Sequence, residues 1–206
     1  MAMSISQESL YLLHSNRKRC TELLSKPELT EEEITDALIF LHLVLEVGLN
    51  GYFRSLQFNA FGDDEEIRLK MWDDFDKINF IDKAVFFIRS SRFDLKGKGN
   101  EAQKHYSVIS RMRDFSEVRN RLLHGHSVLT MHTFEGETYE SKSKKMLTHD
   151  FLKKQVEKFI SILNSILFFN EALDWGGSGS DPRSFAKEQY LSDAFIPKAF
   201  RSDVSG

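Results

Sequence analysis

The stretch Phe115-Ser116-Glu117-Val118-Arg119-Asn120-Arg121-Leu122-Leu123-His124-Gly125-His126-Ser127 closes a run whose apolar residues recur at helical steps. Val108, Met112, Phe115, Val118 and Leu122 stand three and four residues apart, which places them on one helix face. The spacing predicts a helix over residues 100–125, with Gly125 as its stop. Into this apolar helix the sequence inserts Arg119, Asn120 and His124. Asn120 and His124 are four apart and share a face. Arg119 lies about 100° round from Asn120, and its long side chain still reaches the space in front of both. His124 falls in the last turn and His126 just outside it.

Working outward, residues 4–25 read as a first helix carrying Leu10, Leu13, Leu23 and Leu24, broken by Lys26-Pro27. Thr30-Glu-Glu-Glu33 is a capping box that opens a helix to about Phe58. From Ala37 to Leu49 that helix is apolar on almost every side, so it should be central. One polar line crosses it, His42, Glu46 and Asn50, spaced i, i+4, i+8. Either the line faces solvent, or Glu46 points at Arg119 and orients it. His42 and Glu46 also have a spacing usable for a metal, but no Cys or second His pair supports one, and none is expected.

A helix follows over 64–89, with Trp72, Phe75, Ile78, Ile81, Val85 and Ile88 as its buried stripe and Lys77 and Asp82 as solvated or paired charges. The Lys96-Gly-Lys-Gly loop lacks the glycine spacing and Lys-Ser/Thr pair of a phosphate loop. Residues 127–146 alternate in an extended pattern about Glu135-Gly136-Glu137, which predicts a β-hairpin. Lys142, Lys144 and Lys145 close it, as a soluble edge or as a basic arm for RNA phosphates. Thr148 opens a last helix to about Trp175, with Val156, Phe159, Ile160, Leu163, Ile166 and Leu167 as its apolar face. Gly176-Gly-Ser-Gly-Ser is linker-like, and the tail beyond it carries enough aromatic residues to dock on the helices or on a second subunit.

The predicted fold is all-α: an antiparallel bundle of four to five long helices, with a short β-hairpin inserted after the motif helix. Three segments are expected: an N-terminal helix over 1–29, the bundle over 30–175, and a linker and tail over 176–206.

The 206 residues are 41% hydrophobic and 29% charged, enough for a sizeable core. A net charge of −3 excludes a globally basic nucleic-acid binder, so any such binding needs a local patch. Basic residues gather at 111–121 and 142–145, flanking the motif. The single Cys20 permits no intrachain disulfide, and the N-terminus shows no secretory pattern. The lone cysteine suits a reducing, cytoplasmic location, and no window approaches eighteen uncharged apolar residues, so no membrane span is expected.

The run Arg119-Asn-Arg-Leu-Leu-His124 resembles the signature of the HEPN superfamily (higher eukaryotes and prokaryotes nucleotide-binding domains), an Arg followed by four to six residues and a His. The resemblance spans roughly residues 30–175. It implies a helical bundle, and either a metal-independent endoribonuclease or a silent module that only binds RNA or nucleotides. It also implies a homodimer that brings two motifs together at the interface, with no cofactor. A toxin–antitoxin or phage-defence setting, with an antitoxin or other protein partner, fits such proteins. Outside the resemblance stands a third reading, a helical adaptor in which an Arg119–Glu46 ion pair merely pins two helices.

The chemistry suits the residues. Metal-free RNA cleavage uses the ribose 2′-hydroxyl as nucleophile. A base takes its proton, an acid protonates the 5′-oxygen, and a cation holds the phosphorane. Histidine titrates near neutrality, and the arginine fork donates two hydrogen bonds to phosphate. Arg119, Asn120 and His124 are the candidate catalytic groups, with Asn120 positioning His124 or the phosphate; Glu46 and His126 support, and RNA is the expected partner.

Overall fold

The computed structural model describes residues 2–60, 66, 70, 73–75, 77–91, 100–124, 132–134, 137–139, 146–171 and 187–201, and side chains within these except at 2–9, 57–60, 124, 132–134 and 137–139. The described chain is predominantly helical, as an all-α fold requires. Its helices are α1 (Ala2–Leu24), α2 (Glu31–Ala60), α3 (Phe80–Arg89), α4 (Glu101–Tyr106), α5 (Val108–His124) and α6 (His149–Asn170), followed by a 3-10 turn at Lys198–Phe200.

The predicted capping box starts α2. The Thr30 N–H donates to Glu33 Oε2 at 2.9 Å, and the Glu33 N–H donates to Thr30 Oγ1 at 3.2 Å. Two orphan donors of the first turn are thereby satisfied. The helix is the centre of the core, with Leu41, Val44, Leu45 and Leu49 all buried. Against the reading that no window is apolar enough, Glu31–Leu56 could cross a membrane by length and composition. Here 56% of its most apolar window is buried within the fold, as in a core helix. Helix α1 packs antiparallel to it: Lys26 pairs with Glu33 beside the turn, while Leu13 lies against Gly48 further along.

The predicted helix over 64–89 is corrected at its centre. The chain bends at Ile78, and Asn79, in extended conformation (φ −66°, ψ 153°), starts α3 afresh. Its side chain accepts from the Asp82 N–H at 3.0 Å, a local bond that competes with continuing the helix. The new start resets the phase. Phe80, Lys83, Ala84, Phe87 and Ile88 are buried, while Ile78, expected inside, is 43% exposed. Trp72 lies outside the described residues.

The motif helix is also divided. Ser107, whose hydroxyl donates to Lys104 O at 2.7 Å, separates α4 from α5. The expected apolar stripe survives, with Val108, Met112 and Phe115 buried and Val118 and Leu122 half-buried. Helix α6 begins where expected, and Thr148 caps it, its Oγ1 accepting from the Phe151 N–H at 3.2 Å. It ends at Asn170, short of Trp175. Between α5 and α6, His132–Phe134 and Glu137–Tyr139 pair antiparallel, with His132 opposite Tyr139 and Phe134 opposite Glu137.

The C-terminal segment belongs to the same core. Tyr190, Leu191, Ile196 and Phe200 are buried with the helices. Arg17 of α1 donates to Gln189 O at 3.1 Å and Tyr190 O at 2.9 Å, and Thr21 Oγ1 donates to Phe195 O at 2.8 Å. Two glycines of α2 admit the segment. A Cβ at Gly48 would lie 2.7 Å from Tyr190 O, and one at Gly51 would lie 2.3 Å from the Tyr190 ring. Glycine to alanine in a helix interior ordinarily stabilises by about 1 kcal/mol. Gly48→Ala and Gly51→Ala should instead each destabilise by about 1–3 kcal/mol, the scale of an overpacked core. Denaturant unfolding reads this directly, and stability equal to or above wild type would contradict the packing described.

Candidate functional site

The polar line of α2 does not face solvent as a whole. His42 is only 2% exposed. Its ring stacks on Phe115 (centroids 5.4 Å apart, planes 12° apart), and its Nε2 lies 3.3 Å from Ser116 Oγ of α5. One turn on, Glu46 Oε2 lies 3.4 Å from Arg119 Nη2. Arg119 Nη1 donates to Asn120 Oδ1 at 3.2 Å. The guanidinium is therefore held between the carboxylate and the carboxamide, a contact common to the orienting role and to the ion pair that merely pins two helices. One further turn on, Asn50 Oδ1 accepts from the buried Lys83 Nζ at 3.2 Å. That ammonium also sits 4.5 Å from the centre of the Phe75 ring, a cation–π placement.

These contacts order the charges. His42 Nδ1 is 3.6 Å from Glu46 Oε2, beyond hydrogen-bond reach, and is buried without a partner. Burial first, and the positive charge of Arg119 second, lower the His42 pKa to about 4. The ring is thus neutral at pH 7, and the carboxylate is left to Arg119.

The group opens into a cleft of about 500 Å³ between α2, α3 and α5. His42, Glu46, Ser116 and Arg119 line one part, Phe80 another, and the exposed Asp82 and Arg113 also border it. The Arg119 side chain is 30% exposed, so a ligand in the cleft can reach it. Such an arrangement can bind an oxyanion, with a pinned fork meeting its oxygens.

Of the residues chosen from sequence, the structure brings together Arg119, Asn120 and Glu46. His124 is the last residue of α5, with its side chain outside the described residues, as are His126, Lys142, Lys144 and Lys145. Among the described residues no three His, Cys, Asp or Glu side chains converge as metal ligands. The carboxylate that His42 would share with a metal faces Arg119 instead. Sequence reading missed Ser116, Arg113 and Asp82. Ser116 stands three residues before Arg119 on α5, a spacing that signals a shared face. Asp82 depended on the unforeseen start of α3. In comparisons with known proteins, no family model, curated protein or solved structure matched the chain.

The buried neutral histidine has a consequence for stability. Its folded-state pKa of about 4 lies below the ordinary 6.5, so the unfolded chain binds the extra proton between these values. Stability from this group is complete above pH 6.5 and falls as pH drops toward 4. From pH 7 to pH 5 it should remove about 2 kcal/mol. His42→Phe keeps the stacking on Phe115 and should lose that part of the pH dependence. Urea unfolding of both proteins at pH 7 and pH 5 measures the difference. Equal losses in the two would show that His42 does not titrate this way.

Proposed function

We propose that the protein is a metal-independent endoribonuclease of HEPN type, acting through Arg119 and His124. The observation that carries this reading is the guanidinium of Arg119, pinned by Glu46 and Asn120 at an open cleft. Its fork is preorganised to hold a scissile phosphate and the charge that grows on it. His124 follows on the same helix, about 7.5 Å along the axis. It is the titratable group that can exchange protons with the 2′-hydroxyl or the 5′-oxygen. His42 is unsuited to that work, being 2% exposed and neutral. The fold in this reading is an antiparallel bundle whose hairpin arm, with Lys142, Lys144 and Lys145, guides RNA phosphates toward the cleft.

One chain supplies one such histidine, whereas the reaction has two proton transfers. In this reading two copies meet across the motif, and the second His124 completes the site. Leu123, beside it on α5, is 50% exposed, and Phe86 on α3 is 71% exposed. Both are apolar groups that a second copy would cover. A second reading, a silent module that binds RNA or nucleotides, is favoured by the ion pair itself. Glu46 neutralises part of the charge that catalysis would use.

RNA cleavage in the presence of chelator distinguishes them. The wild type should leave 2′,3′-cyclic phosphate ends. Arg119→Ala and His124→Ala should each slow cleavage by at least about a hundredfold while remaining folded. Binding without cleavage would establish the silent module instead.

Light scattering at micromolar concentration should give the mass of two chains. A single-chain mass with cleavage intact would remove the composite site.

A further inference from the structure

A second cleft, of about 650 Å³, lies between α4, α5, α6 and the C-terminal segment. Its centre is Ser165 of α6, only 2% exposed. Arg111 Nη2 donates to Ser165 Oγ at 2.7 Å, and His105 Nδ1 lies 3.0 Å from the same oxygen. With Arg111 as donor, the serine hydrogen is free to point at His105 Nδ1. That leaves the proton of a neutral ring on Nε2. The His105 ring is held flat on Phe168, with centroids 4.1 Å apart and planes 18° apart.

The electrostatics are unbalanced. Arg111 Nη1 donates to the Ser107 hydroxyl, so among the described residues both hydrogen-bond acceptors of this guanidinium are neutral oxygens. Among the described residues no carboxylate forms an ion pair with it, and its Nε is buried without a partner. Lys104, exposed on the same lining, likewise has no ion-pair partner among the described residues. The third cation, Arg201, is committed elsewhere: it donates to Asp193 O at 2.8 Å and Ile196 O at 3.1 Å, with the Asp193 carboxylate at 3.8 Å. Two cations thus remain for a ligand, beside the polar groups Ser161 and Asn164.

We propose that this cleft binds a phosphate monoester carrying hydroxyl groups, such as a sugar phosphate or a mononucleotide. Arg111 and Lys104 receive the phosphate dianion through charge-assisted hydrogen bonds. Ser161 and Asn164 accept from the ligand hydroxyls. The volume is of the size that holds a small ligand. The cleft is distinct from the one at Arg119: Arg111 lines one, and Arg113, about 200° round the same helix, lines the other.

Calorimetric titration of the full chain tests this with inorganic phosphate, ribose 5-phosphate, 5′-AMP and unphosphorylated ribose. Ribose 5-phosphate should bind more tightly than inorganic phosphate, and ribose should not bind. AMP stronger than ribose 5-phosphate identifies a nucleotide site; equal affinity identifies a sugar-phosphate site. Arg111→Gln should weaken binding about tenfold or more, the scale of one lost hydrogen bond to a charged group. Lys104→Gln, at an exposed position that leaves the fold intact, should weaken it in the same direction. Arg119→Ala should bind like wild type, so the result stands whether or not the protein cleaves RNA. No heat with any phosphate compound at millimolar concentration would overturn the proposal. So would binding that survives both Arg111→Gln and Lys104→Gln, or binding lost in Arg119→Ala alone.

Discussion

Three polar side chains on an otherwise apolar central helix constrain everything packed around it. His42, Glu46 and Asn50 lie along one line of α2, and a polar group in a core needs a partner. Each finds one on a different turn of a neighbouring helix: Ser116 and Arg119 on α5, Lys83 on α3. Slipping either helix by one turn would part Ser116 from the buried His42, Arg119 from Glu46, or Lys83 from Asn50. The line therefore fixes the register of α3 and α5 against α2. The same requirement builds the cleft, because the groups that satisfy α2 are those that line it.

Burial first, and the positive charge of Arg119 second, keep His42 neutral, and the Glu46 carboxylate pairs with Arg119. A partly exposed ion pair adds little stability by itself. Its larger effect is orientation, since Glu46 and Asn120 together restrict a flexible side chain to one region of the cleft. In the proposed function, that restriction preorganises the fork for a phosphate.

Much of this was legible in the chain. The Thr30/Glu33 box, the Thr148 cap and the Val108–Met112–Phe115 stripe are local patterns, and local hydrogen bonds and packing kept them. The approach of Glu46 to Arg119 could be read because Glu46 is the one carboxylate within the apolar run from Ala37 to Leu49 of α2, where a charge needs a cationic partner. What escaped was set by competition or by distance. Asn79 bonds Asp82 and restarts α3, which turned Lys83 inward and Ile78 outward. The docking of Tyr190 on Gly48 and Gly51 joins residues far apart in the chain, and two helix glycines alone do not announce a contact. The Arg111–Ser165–His105 group likewise unites separate helices, and none of its members stands out in its own segment.

The central claim is that Glu46 acts through Arg119 on a phosphate in the cleft. Single-turnover RNA cleavage by Glu46→Gln, Arg119→Ala and the double variant tests it most directly, with folding checked by unfolding curves. The account predicts that Glu46→Gln alone slows cleavage while the protein stays folded, and that the double variant is no slower than Arg119→Ala. Wild-type rates in Glu46→Gln, or losses that add fully in the double variant, would contradict it.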